Sequence, residues 1–161
     1  MQSQIVEQRQ ENQQLSEQVD RVLSMASIES GHYKIKKEKI SLIDLITNIK
    51  SQMKIQLSDK NAVLSIEDKT NNPVVIADKF HLSNAIRNII DNAIKYSERD
   101  PEIQVIIENI ENSVRIQIQD NGIGISNAHQ KLLFEKFFRI KENVNFTTKG
   151  FGIGLSYVKK I

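Results

Sequence analysis

The sequence contains no cysteine, which excludes a disulfide framework, thiolate chemistry and cysteine-ligated zinc. Its three histidines, His32, His81 and His129, are scattered, so a histidine metal cluster is not expected either. No apolar run approaches the roughly 18 residues of a membrane-spanning helix. The start, MQSQIVEQRQ, lacks the basic, then apolar, then small-residue order of a signal peptide. Charge of one sign is also missing. Lys and Arg number 22 against 20 Asp and Glu, a formal net charge of +2, and a dedicated nucleic-acid binder would carry a larger, clustered basic excess. What remains is a soluble domain of cytoplasmic type, which can still be cut from a larger, even membrane-bound, protein. At 161 residues and 39% hydrophobic content there is room for one compact domain with a buried core and an extra element.

That extra element is the first stretch, residues 1 to about 31, rich in Gln and Glu. Leu15, Val19, Val22 and Ala26 alternate at spacings of four and three, a short heptad-like stripe that predicts a helix. Gly31 is its candidate C-cap. The second domain, 34–161, opens with KIKKEKI (34–40), a short edge strand whose lysines discourage further pairing. Ser41 and Asp44 start a helix with Leu42, Leu45, Ile46, Ile49, Met53 and Leu57 on its apolar face. Two strands, 62–68 and 73–78, flank the turn KTNN, and a long helix spans about 79–97. Alternation at Ile103, Val105, Ile107 and then at Val114, Ile116, Ile118 predicts an antiparallel hairpin with one buried face. A glycine-rich loop, a helix carrying Phe134, Phe137 and Phe138, a polar loop and a second glycine-rich segment complete the chain. The order of elements indicates an α+β fold with helices on one face of a mixed sheet.

Five of the six glycines lie in two short segments, Asp120-Asn121-Gly122-Ile123-Gly124 and Gly150-Phe151-Gly152-Ile153-Gly154. A single GxG reads as a turn. Two of them, each ahead of a helix-like stretch, point to anion binding by backbone amides. Neither is a P-loop, since no Gly-Lys-Ser/Thr follows, and neither fits a dinucleotide-binding fingerprint. On the long helix, at about 100° per residue, Leu82, Ala85, Ile86, Ile89, Ile90 and Ala93 form the core stripe. Asn88, Asn92 and Lys95 share one flank, with Tyr96 at the border. They are either solvated polar residues or, functionally, oxygen ligands for Mg²⁺ and a point charge for phosphate.

Together these segments resemble the boxes of the sensor histidine kinases. Asn88-Ile-Ile-Asp-Asn92-Ala-Ile-Lys95-Tyr96-Ser97 is similar to their N box and Asp120-Asn-Gly-Ile-Gly124-Ile125 to the G1 box. Phe134-Glu-Lys-Phe-Phe-Arg139 resembles the F box, and Gly150-Phe-Gly-Ile-Gly-Leu155 the G2 box. The four occur in the family's order over roughly 78–158. The resemblance implies a two-layer α/β sandwich with a mixed, mostly antiparallel sheet, the Bergerat ATP-binding fold, preceded by one helix. ATP and Mg²⁺ are the implied ligands. Asp120 would accept a hydrogen bond from the adenine amine, while Gly122 and Gly124 let base and sugar approach the backbone. Asn92, with Asn88 beside it, would reach the Mg²⁺. Lys95 would neutralise phosphate charge, and Tyr96 would pack near the nucleotide. Arg139 would approach the γ-phosphate when a lid, approximately 141–149, closes. Gly150, Gly152 and Gly154 would line the phosphates, with Ile125, Lys149, Phe151 and Leu155 completing the contact set. Phe134, Phe137 and Phe138 read as hydrophobic anchors rather than ligands.

The same resemblance makes residues 19–31 the end of the second helix of a dimerisation and phosphoacceptor hairpin, hence a homodimer in the parent protein. A response regulator is the implied partner, with no nucleic acid and with a membrane only through parent regions. The family's phosphorylated histidine precedes an acidic residue, whereas His32, His81 and His129 precede Tyr33, Leu82 and Gln130. The three histidines are therefore expected to be structural or at the surface, and the sequence reads as a fragment without its acceptor and without a final hairpin. Gyrase B- and MutL-type ATPases place a general-base Glu where Asn88 stands, so phosphoryl transfer is favoured over hydrolysis. The alternatives are a non-catalytic interaction module of the same fold and an anti-sigma-factor-type serine kinase.

Overall fold

In a computed structural model the chain divides into two compact units, Met1–Ile35 and Lys36–Ile161. The structure describes Val19 and residues 34–70, 73–140 and 152–161. The expected helix of residues 1–31 therefore lies outside the described residues except for Val19, which is helical. The expected lid, Lys149, Gly150 and Phe151 also lie outside them.

Within the second unit, β1 (Lys37–Ser41) leads directly into α1 (Leu42–Gln52) and α2 (Lys54–Asp59). Ser41 makes the change of direction: its Oγ accepts a hydrogen bond from the Asp44 amide at 3.4 Å, capping α1. The whole expected stripe, Leu42, Leu45, Ile46, Ile49, Met53 and Leu57, is buried. Burying such a side chain contributes about 1.5–3 kcal/mol. Packing of this face, more than helix propensity, therefore holds α1 in place.

The next two strands, β2 (Val63–Asp68) and β3 (Val74–Asp78), are adjacent in sequence but do not pair with each other. β3 runs antiparallel to β1, with Ile40 opposite Val75 and Lys39 opposite Ile76. β2 runs parallel to β4 (Glu102–Ile110), with Leu64 opposite Ile103. Parallel neighbours need a crossover, and β3 together with α3 (Lys79–Lys95) supplies it. β5 (Ser113–Asp120) then pairs antiparallel with β4, aligning Val105 with Ile118 and Ile107 with Ile116. Among the described residues the ladders form a two-stranded sheet, β1–β3, and a three-stranded one, β2–β4–β5. The fold is mixed α/β with helices packed on sheet, as the order of elements predicts.

One core joins these pieces. Ile40, the α1 stripe and Leu64 pack with Ile86, Ile90, Ala93 and Ile94 of α3 and with Ile103, Val105 and Ile107 of β4. The expected single buried face of the hairpin is corrected at Ile106, whose side chain, on the opposite face of β4, is also buried. β4 lies between β2 and β5, so neighbours on both sides shield even its outer face.

The chain after β5 differs from the sequence expectation. The helix expected to carry the phenylalanines is a single short helix, α4 (Asn127–Gln130), followed by turns through Phe137. The last element is α5 (Gly154–Lys160), which packs on α3. Among the described residues no helix is long and apolar enough to cross a membrane.

Candidate functional site

α3 begins at Asp78, whose Oδ1 accepts a hydrogen bond from the His81 amide at 3.2 Å. Its Oδ2 accepts from the Lys36 amide at 2.9 Å, so one carboxylate ties the start of α3 to the approach of β1. Burial pushes the Asp78 pKa up, but the hydrogen bonds from the Lys36, His81 and Phe80 amides and the charge of His81 outweigh it, leaving the carboxyl below its usual range.

Farther along α3, Asn88 and Asn92 stand one turn apart. Asn92 is half-buried, whereas Asn88 is 3% exposed, because α5 covers that flank. A flank expected to be polar and solvated is thus an interface between two helices. A Cβ placed on Gly154 of α5 would lie 3.4 Å from Asn88 Oδ1, so the backbone of the second glycine-rich segment sits against the first asparagine. On the core side, Ile94 is buried and Ile89 only half-buried, a small rotation from the predicted stripe. Lys95 is already engaged: its Nζ donates to Asp91 Oδ2 at 2.5 Å, and Asp91 Oδ1 accepts from Gln56 Nε2 of α2 at 2.6 Å.

The first glycine-rich loop is fastened to the C-terminal end of α3. Tyr96 caps the helix through its amide, and its carbonyl accepts from the Ile123 amide at 3.0 Å. Asp120 Oδ1 accepts from the Gly122 amide at 2.9 Å. A Cβ on residue 122 would come within 2.7 Å of that same oxygen and 3.0 Å of the Tyr96 carbonyl, which explains why a glycine occupies this turn. Gly124 and Ile125 are exposed beyond it.

Gly152 makes the corresponding close approach on the other side. It has φ +71°, and a Cβ there would lie 2.7 Å from the Phe138 carbonyl oxygen. Its own carbonyl accepts from the Phe137 amide at 3.0 Å. The phenylalanines depart from their expected role as hydrophobic anchors. Phe137 is 70% exposed at φ 63°, Phe134 is exposed with Lys159 Nζ 6.0 Å from its ring centre, and only Phe138 is half-buried, near His129. Turns rather than a helix hold them, so no i, i+3, i+4 stripe gathers them on one face. Arg139 is exposed immediately before residue 140, and Leu155 is half-buried on α5. The expected helix N-termini are small: α4 is four residues long, and its Ser126 Oγ is engaged with His129 Nδ1 at 3.0 Å.

Three segments far apart in sequence thus meet on α3: the asparagine turn, the Asp120–Gly122 loop and the Gly152–Gly154 segment. Asn oxygens with glycine backbones around them suit a hard cation that keeps phosphate and water ligands, which is how Mg²⁺ prefers to bind. Among the described residues no group of three His, Cys, Asp or Glu side chains forms an all-protein metal cage. Asp91, Asp78 and Tyr157 carry no role in the sequence reading above. An aspartate directly before a helix was the available signal for Asp78, and the four-residue spacing to Lys95 for Asp91. Tyr157 gave none, since its partner lies 76 residues away. His81 is buried, in keeping with a structural histidine, and His129 is half-buried.

The chain is similar to known proteins in sequence and in fold. Residues 77–161 match the family model described as histidine kinase-, DNA gyrase B-, and HSP90-like ATPase. The sensor protein RprX of Bacteroides fragilis is 36% identical over 94% of this chain, which spans 30% of RprX. The chain covers well under half the length of the first curated relatives that it matches. In fold it is similar to full-length ShkA in complex with AMPPNP, with a TM-score of 0.74 and 22% identity over 88% of this chain and 29% of that one. It is also similar in fold to histidine kinase ThkA in complex with response regulator protein TrrA, with a TM-score of 0.61 and 18% identity over 77% of this chain and 38% of that one. The chain belongs to the histidine kinase-, DNA gyrase B-, and HSP90-like ATPase family, as the ATPase domain of a sensor histidine kinase of two-component systems.

Proposed function

We propose that this domain binds Mg-ATP on the face of α3 and passes the γ-phosphoryl group to a histidine on a helical segment, for relay to a response regulator. The observation that carries the reading is the convergence of Asn88, the Asp120–Gly122 loop and Gly154 on one helix. Asp120 Oδ1 is held by the Gly122 amide, which orients the carboxylate to accept from the exocyclic amine of adenine. Guanine would present a carbonyl there, and two acceptors repel. Asn88 and Asn92 would offer amide oxygens to Mg²⁺, which would supply positive charge to offset that developing in transfer. Lys95 exchanges its Asp91 partner for a phosphate oxygen, and Arg139 approaches the γ-phosphate. Gly150, Gly152 and Gly154, with Lys149, Phe151 and Leu155, line the phosphates, while Tyr96, Gly124 and Ile125 flank base and sugar.

An amide at Asn88 accepts no proton from water at neutral pH, so the site has no hydrolytic base at that position. Positioning and electrostatics therefore favour transfer to a supplied nucleophile. The bond from the histidine nitrogen to phosphorus forms as the bond to the ADP oxygen breaks. The ThkA–TrrA complex supports a response regulator as partner, and the AMPPNP-bound ShkA supports the nucleotide. Dimerisation of the parent through the helix of residues 1–31 and a cytoplasmic setting complete the reading. Calorimetry with ATP, with and without Mg²⁺, tests it beside Asp120→Asn and a GTP control. The expected result is Mg²⁺-dependent ATP binding that the variant loses and GTP does not reproduce. A folded sample that binds no ATP would refute the nucleotide reading.

A further inference from the structure

α5 has seven residues. An isolated helix in water is marginal below about 12–15 residues, so the position of α5 is set by what it touches, and it packs on α3. Two contacts define its register. At one, the Tyr157 hydroxyl lies 2.5 Å from His81 Nδ1, with both residues only 2% exposed. At the other, Gly154 abuts the Asn88 amide. His81 and Asn88 lie seven residues apart on α3, about two turns and on one face, and Gly154 and Tyr157 lie about one turn apart on α5. α5 therefore leaves the site at Asn88 and runs back towards His81, opposite in direction to α3.

The two contacts differ in kind. Gly154 has no side chain with which to lock itself to Asn88, and that contact is a van der Waals approach. The hydroxyl–imidazole bond is directional and buried, so it constrains position more tightly than a van der Waals contact does. His81 is itself anchored: its amide donates to Asp78, which also accepts from the Lys36 amide. A polar chain thus runs from the approach of β1 through the start of α3 to α5. Its last member meets the glycine segment through the backbone, where the Tyr157 amide donates to the Ile153 carbonyl at 3.0 Å.

We infer that the Tyr157–His81 hydrogen bond positions the Gly152–Gly154 segment against Asn88 and so sets the phosphate end of the site. This rests on the nucleotide reading above. His81 and Tyr157 are positioning residues that touch no reacting atom. Because the Asp120 loop is fastened separately, to Tyr96, the base end of the site does not depend on them.

The test measures Mg-ATP and adenosine affinities by calorimetry on the full chain, for the native sequence, Tyr157→Phe and His81→Asn. Tyr157→Phe keeps the buried ring and removes only the hydroxyl. It is expected to weaken Mg-ATP binding about five- to tenfold, the worth of one buried hydrogen bond, and to leave adenosine binding unchanged. His81→Asn, which keeps a polar group near the hydroxyl, is expected to retain more ATP affinity than His81→Leu. Unchanged ATP affinity in Tyr157→Phe would overturn the inference. So would an equal loss of ATP and adenosine binding, which would mark a general structural role. Should Tyr157→Phe fail to fold, the His81→Asn and His81→Leu pair makes the same comparison. A native chain that binds neither ligand would instead remove the nucleotide reading, and the positioning role with it.

Discussion

The stretch from β1 to β5 and the stretch after it are built on different principles. From Lys37 to Asp120 the elements are regular, and their apolar faces meet in one core. After Asp120 the described residues form two short helices and a series of turns, and only Ser156 and Tyr157 are buried. The first stretch is stabilised by area removed from water. The second is placed by a few specific ties, to α3 through the Tyr96 carbonyl and the His81–Tyr157 pair, and within itself through the Phe137–Gly152 backbone bond. The site lies where the two meet, with rigid asparagines on one side and lightly anchored glycine segments on the other. Such a division would suit the proposed nucleotide site, since locally weak regions open without unfolding the scaffold.

If the scaffold carries the stability, the largest effect comes from its centre. Ile90 is fully buried on α3, two residues from Asn88 and Asn92. Ile90→Ala is expected to destabilise the domain by about 2–5 kcal/mol, read as a lower urea midpoint with an unchanged slope. Asn92→Ala should do the opposite. Its midpoint should stay within about 0.5 kcal/mol of native, while transfer to a supplied acceptor helix falls by about a hundredfold or more. Undiminished phosphate incorporation would remove Asn92 from the mechanism.

Gly122→Ala probes the seam between the two stretches. The added methyl meets Asp120 Oδ1 at 2.7 Å and the Tyr96 carbonyl at 3.0 Å, so the loop must shift. Adenosine and ATP affinities should then drop together, by about tenfold, the equivalent of about 1.4 kcal/mol. A drop confined to ATP would place Gly122 with the phosphates instead of the base. The smallest effect concerns acid. The Asp78 carboxyl is depressed in the folded state, so its contribution to stability is present above its ordinary value of 3.8 and is lost as pH falls through the lower folded value. Asp78→Ala should cost about 1 kcal/mol as a lost helix cap and flatten the acid limb of the stability profile. An unaltered limb would assign acid unfolding to other carboxylates.

Legibility in the sequence followed the range of the interaction. The α1 stripe and the strand alternation were readable because period 3.6 and period 2 are properties of neighbouring residues. The four boxes were readable as a set because their order and spacing survive in linear form. Pairing partners were not: β2 and β3 follow one another, yet each ladders with a strand from elsewhere. The phenylalanine segment misled for a related reason. Its spacing looked helical, but turns tied to Gly152 hold it.

Asn88 shows the limit most clearly. Its chemistry, an amide oxygen one turn from another, is written in the chain. Its burial is not, because the surface that covers it belongs to α5, more than 60 residues later. The same holds for Lys95, whose carboxylate partner is one turn away but is itself steadied by Gln56 of a different helix. Local periodicity and residue chemistry decided which elements form and which side chains could bind a nucleotide. Tertiary packing alone decided which strands pair, which flank of α3 is sealed and where the glycine segments come to rest, because those outcomes depend on surfaces that are distant in sequence and meet only in the folded chain.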